Sequence, residues 1–67
     1  MKANEYFIQT NGYGEWQNIG GAVSFEHAVR ETEVLQAKYP GTILRIVPLA
    51  VIEGDAVSPV YYWPFVH

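Results

Sequence analysis

One stretch of this chain, Ser24 to Tyr39, has the periodicity of a helix, and it limits what everything else can become. Phe25, Ala28, Val29, Thr32, Leu35 and Tyr39 recur at spacings of three and four, so a helix gathers them on one face. Glu26, His27, Arg30, Glu31, Glu33 and Lys38 fall elsewhere, and Val34 reads as a stray surface valine. Ser24 is a natural N-cap, because its hydroxyl can accept from a free amide of the first turn. Glu26 suits the positive end of the helix dipole. It also precedes Arg30 by four residues, an order worth roughly 0.3–0.5 kcal/mol. At the other end Pro40 cannot continue a helix, and Pro40-Gly41 suits the centre of a type II turn.

A lone amphipathic helix needs a sheet to cover. Glu5 to Thr10 alternates and carries Tyr6, Phe7 and Ile8, which predicts a first strand. Asn11-Gly12 is a hairpin signal, but Gly14 leaves the loop at two, three or four residues. A two-residue turn would pair Phe7 with Trp16, and a three-residue loop would pair Ile8 with Trp16; a slip of one residue exchanges the two faces. The second strand is expected over Glu15 to Ile19, ended by Gly20-Gly21. After the helix, Thr42 to Val47 is rich in β-branched residues and predicts a third strand. Leu44 and Ile46 lie on one side, with Ile43, Arg45 and Val47 on the other. Pro48 interrupts the ladder, so Leu49 to Ile52 either resumes it or forms a separate short piece. Glu53-Gly54-Asp55 reads as a turn. Val57 to Val66 then returns as a fourth strand, demoted to an edge by Pro59 and Pro64. The expected fold is a single α+β domain over residues 1–67, β-β-α-β-β, with one helix on an antiparallel sheet of order 2-1-3-4. The competing arrangement places the third strand parallel to the second.

A 67-residue chain buries only about 60% of its unfolded surface. Ten of its residues are aromatic (2 Trp, 5 Tyr and 3 Phe), so aromatic area must enter the core or meet another chain. Homodimerisation is one outlet. The chain has no cysteine, which removes disulfides and thiolate metal sites and suits a reducing compartment. Seven acids against four bases give a net charge of −3. That balance argues against direct nucleic-acid binding, which needs a basic footprint. The N-terminal residues lack the apolar core of a signal peptide, and the apolar run Ile43 to Ile52 is too short to span a bilayer. The expectation is a protein of the cytoplasm with no membrane role.

Gly14-Glu15-Trp16, Phe25 and Ala28, Tyr39-Pro40-Gly41-Thr42 and Arg45-Ile46-Val47 together give a pattern over Tyr6 to Val47. It resembles small proteins of bacteriophages and mobile elements with a hairpin-helix-strand core. Some proteins of that kind inhibit host defence, including anti-CRISPR proteins. The resemblance implies this fold and a setting inside a bacterial host, and it carries over no functional residues.

No catalytic set stands out. His27 and Glu31 have a helical spacing that a metal could use, but two ligands do not make a site, and a solvated pair is the better reading. Ser24 is a cap, Ser58 precedes Pro59 in a turn, and no nucleophile elbow or phosphate loop is present. Glu31 and Glu33 lie on different helix faces, and Glu53 and Asp55 flank a turn glycine. The chain therefore does not read as an enzyme, and no cofactor or metal is expected.

The informative stretch for function is Val60 to Phe65. As a strand it sends Tyr61, Trp63 and Phe65 one way, with Val60, Tyr62 and Val66 the other. One helix covers one face of a sheet, so an aromatic row is left for an interface, although the strand could instead complete the core. Tyr and Trp are enriched in interface hot spots. A base-stacking role would need a cationic groove, and the chain offers only Lys2, Arg30, Lys38 and Arg45. The expected function is a small phage-type accessory protein that binds another protein and acts sterically, as an inhibitor of a bacterial defence complex. The expected partner-binding residues are Tyr61, Tyr62, Trp63 and Phe65 as anchors, with Glu26, Glu31 and Glu33 steering toward a basic, nucleic-acid-binding host effector. The alternative is a structural protein that homodimerises through its last strand without inhibitory activity.

Overall fold

The computed structural model describes residues 5–12, 14–55 and 58–64. Six elements follow in order: β1 (Tyr6–Asn11), β2 (Trp16–Ala22), α1 (Phe25–Lys38), β3 (Leu44–Pro48), α2 (Leu49–Ile52) and β4 (Tyr61–Tyr62). The strands form one antiparallel four-stranded sheet in the order β2-β1-β3-β4, with α1 across one face. β2 and β3 both run antiparallel to β1, which lies between them. The crossover through α1 therefore links two strands that point the same way without touching. This is the expected α+β fold with a second, one-turn helix added.

The helix is bounded as its end residues dictate. Ser24 takes an extended conformation (φ −139°, ψ 158°), and its hydroxyl accepts from the His27 amide at 3.3 Å. The Tyr39 amide still donates to the Leu35 carbonyl, and there the helix stops. Gly41 has φ +87°, and the Thr42 amide closes on the Tyr39 carbonyl at 3.3 Å, as a type II turn with Pro-Gly at its centre requires.

The core lies between α1 and one face of the sheet. Ile8, Ala22, Ala28 and Ile46 are buried, with Tyr6, Phe25, Val29 and Leu35 packed around them. Ile8 pairs with Ile46 across β1 and β3, so the two largest side chains of this cluster meet directly beneath the helix. Thr32 is also fully buried, with its hydroxyl donating to the Ala28 carbonyl at 2.8 Å.

Beyond shifts of one or two residues at strand ends, as in β1 and β3, three features differ from expectation. β2 runs through Gly20 and Gly21 to Ala22 rather than ending at Ile19. Gly20 sits opposite Ile8 under the helix, where a Cβ would stand 3.1 Å from Glu31 Oε1 and 3.6 Å from Ile8 Cδ1. Close packing, and not the end of the strand, accounts for a glycine there. Neither of the anticipated hairpin pairings forms. Asn11 pairs with Trp16, because the Asn11 side-chain oxygen accepts from the Gly14 amide at 3.0 Å and spreads the turn over a longer loop.

The last strand shrinks to Tyr61–Tyr62, between Pro59 and Pro64, neither of which can donate to a ladder. Its expected positions Val57, Phe65 and Val66 lie outside the described residues. Leu49 to Ile52 is the separate short piece: a single helical turn whose amide at Leu49 donates to the Glu5 carbonyl. It ends in a Schellman arrangement, Gly54 N to Val51 O at 3.0 Å and Asp55 N to Ala50 O at 2.9 Å, with Gly54 at φ +106°.

Candidate functional site

The face of the sheet turned away from α1 is where polar and aromatic side chains converge. Pairing across the strands places Asn18, Gln9, Arg45 and Tyr62 in one row, one residue from each strand. Side chains on a row alternate with those of the helix face, so this row belongs wholly to the second face. Two of its neighbours are joined to Gln9 by hydrogen bonds. Gln9 Nε2 donates to Asn18 Oδ1 at 2.7 Å, and Arg45 Nε donates to Gln9 Oε1 at 2.8 Å. Gln9 is only 8% exposed, and the two ends of its amide are both used.

Trp16 shares this face because of a bulge. Ile8 pairs with Gly20 but Gln9 pairs with Asn18, so Ile19 is the extra residue of β2. Counted by simple alternation from Ala22 and Gly20, Trp16 would lie under the helix. The extra residue switches it to the second face, where the Arg45 guanidinium carbon stands 4.0 Å from the centre of its ring. Tyr62 approaches the same ring edge-on, with centroids 6.1 Å apart. Arg45 and Trp16 are half-buried, and Tyr62 is 56% exposed. The result is a cation–π stack with a tyrosine on its rim, its arginine oriented from the side by a buried amide.

The expected anchor residues divide between the two faces. Tyr61 pairs with Ile46 and packs against Phe25 at 4.6 Å between ring centres, so it extends the helix side and remains 38% exposed. Tyr62 points to the opposite face. Trp63 is half-buried and its amide donates to the Leu44 carbonyl at 2.9 Å, while the peptide that follows, Trp63-Pro64, is cis. Phe65 lies outside the described residues. Glu26 and Glu33 are exposed on α1, whereas Glu31, also exposed, reaches back over Gly20 of β2. The structure thus brings Tyr62 together with Trp16, Arg45 and Gln9, and leaves the helix acids on the other layer.

Sequence reasoning missed Trp16 and Gln9. The available signal was Arg45, a charged residue inside a β-branched strand; Gln9 stands opposite it in the regular β1–β3 register, and only the face of Trp16 depends on the bulge in β2.

The other polar groups are occupied locally. Ser24 Oγ caps the helix and Ser58 Oγ donates to Asp55 Oδ2 at 2.8 Å. Among the described residues no three His, Asp or Glu side chains cluster closely enough to hold a metal ion, and no helix is long and apolar enough to cross a membrane. The outer flank of α1 carries a shallow groove beside His27, Glu31 and Lys38. It is lined by a single helix and gathers no convergent set of donors and acceptors.

No protein-family model, curated protein or solved structure matches the chain.

Proposed function

We propose that the protein acts by binding another protein through the second face of its sheet, with Trp16, Arg45 and Tyr62 at the centre of the contact. The observation that carries this reading is the stack itself. Trp, Tyr and Arg are the residue types most enriched in interface hot spots. Here they already touch one another at 4.0 and 6.1 Å, so little side-chain freedom remains to be lost on binding. Tyr61, exposed beside Phe25, extends the apolar surface around the edge of β4.

The partner we propose is a nucleic-acid-handling complex of bacterial defence, blocked sterically. The resemblance to small phage proteins and the net charge of −3 support this choice. Exposed Glu26 and Glu33 lie on α1, the layer opposite the contact face, so they contribute to the long-range field and not to the contact itself. The test is capture from a bacterial lysate with active defence systems, followed by a binding measurement on the purified candidate. Tyr62→Ala is expected to weaken binding at least tenfold while leaving the far-UV spectrum unchanged. Full binding by that variant would sink the assignment of this face. Recovery of the protein's own chain alone would favour the homodimer through the short, exposed β4, one of the two edges of the sheet.

A further inference from the structure

We infer that the Arg45 guanidinium receives a carboxylate of the partner, so that the segment docking on this face is an acidic peptide. The inference rests on the protein-binding reading of the face and adds the chemistry of the occupant. Arg45 sits in an inner strand, half-buried, with Gln9 on one side and Tyr62 on the other. Its Nε is engaged by Gln9 Oε1, and its guanidinium carbon stands over the Trp16 ring. No Asp or Glu among the described residues pairs with it, although the chain holds seven acids and only four bases.

An arginine in that position keeps its two terminal nitrogens for an incoming group, already oriented. A guanidinium fork matches a carboxylate through two parallel bonds. Gln9 fixes the fork from behind, because its other end is tied to Asn18. Phosphate has the same fork geometry. A polynucleotide, however, needs several cations along its track, and Arg45 is the one basic residue in the row that crosses all four strands. A single carboxylate flanked by apolar atoms, which rest on Trp16 and Tyr62, fits the charge of the site.

The test uses two mixtures of capped tetrapeptides, identical except that Asp and Glu in one are Asn and Gln in the other. Each is titrated into the isotope-labelled full chain while the Trp16 indole and Arg45 Nε resonances are followed. The acidic mixture is expected to shift both resonances, with an effect that weakens as salt is raised, and the amide mixture to leave them in place. Arg45→Gln should abolish the shift at the indole. Arg45→Lys, which keeps the charge but loses the fork, should weaken it about tenfold.

Equal shifts from both mixtures, or none from either, would overturn the inference. So would an oligothymidylate that binds this face more tightly than the acidic mixture. The failures of the two readings separate in the capture experiment. If Tyr62→Ala loses the partner and both Arg45 variants retain it, the face binds protein without the carboxylate contact. If Tyr62→Ala retains it, the face itself is wrong.

Discussion

At the scale of single residues, Gln9 decides more than its lack of charge suggests. It is 8% exposed, donates to Asn18 and accepts from Arg45, so one amide joins three strands. Gln9→Ala should destabilise the fold by about 1–2 kcal/mol, read by urea unfolding, because two partners lose their bonds and both can turn to water. The loss of orientation should be felt separately, as a broadened or shifted Arg45 Nε resonance in the folded variant. Gln9→Glu makes a sharper case. It preserves an acceptor for Arg45 Nε and places a negative charge beside the guanidinium. Folding should survive, while binding of the acidic peptide mixture falls by tenfold or more because the cation is already matched. If Gln9→Glu binds that mixture as well as the parent, the terminal nitrogens of Arg45 are not the receiving group.

At the scale of elements, the bulge in β2 governs which face carries Trp16. Its extra residue, Ile19, is exposed and outside the core cluster. Deleting Ile19 would bring Gly20 opposite Ile8 and Asn18 opposite Gln9 in an unbroken ladder, with the faces of Trp16 and Asn18 preserved. The expected outcome is a folded variant whose Trp16 indole still senses Arg45, with stability changed by less than about 1 kcal/mol. An unfolded product would show that the twist added by the bulge is needed to seat α1.

The helix offers a second check at this scale. Ser24→Ala removes the acceptor for the His27 amide and should cost about 1 kcal/mol in urea unfolding. These two elements also show what the sequence could disclose. The cap, the apolar stripe as far as Leu35 (Tyr39, placed on it by its spacing, lies beyond the helix and is exposed), the Pro-Gly turn and the strand order follow from local chemistry and from the need of one helix for one sheet face. The bulge does not, because an added residue in a strand leaves no mark in its alternation until the partner strand is known. Trp16 was hidden for that reason, and Gln9 because its partner Arg45 lies 36 residues away in β3, a pairing that no local signal sets; the brevity of β4 follows instead from Pro59 and Pro64.

At the scale of the whole molecule, stability is concentrated in very few side chains. A domain of 67 residues is expected to unfold with only about 3–10 kcal/mol. The two faces draw on that margin differently. The helix face holds the apolar cluster of Ile8, Ala22, Ala28 and Ile46, and the second face holds the polar bonds and stacked aromatics beside buried Val47. Substitutions at Trp16, Arg45 and Tyr62 should therefore alter binding at modest cost to folding, whereas those under α1 should do the reverse. Ile46 is the clearest probe, since it is fully buried and lies between Ile8 and Tyr61 across three strands. Ile46→Val should cost about 0.5–1.5 kcal/mol and leave the protein folded, and Ile46→Ala about 2–5 kcal/mol, a large part of the total. Urea unfolding of both, paired with the peptide titration on the valine variant, tests the division. The valine variant should bind the acidic mixture with parental affinity. A loss of binding that tracks the loss of stability would mean that the two faces are coupled through β3, and that the contact surface is assembled by the core and not by the row of side chains above it.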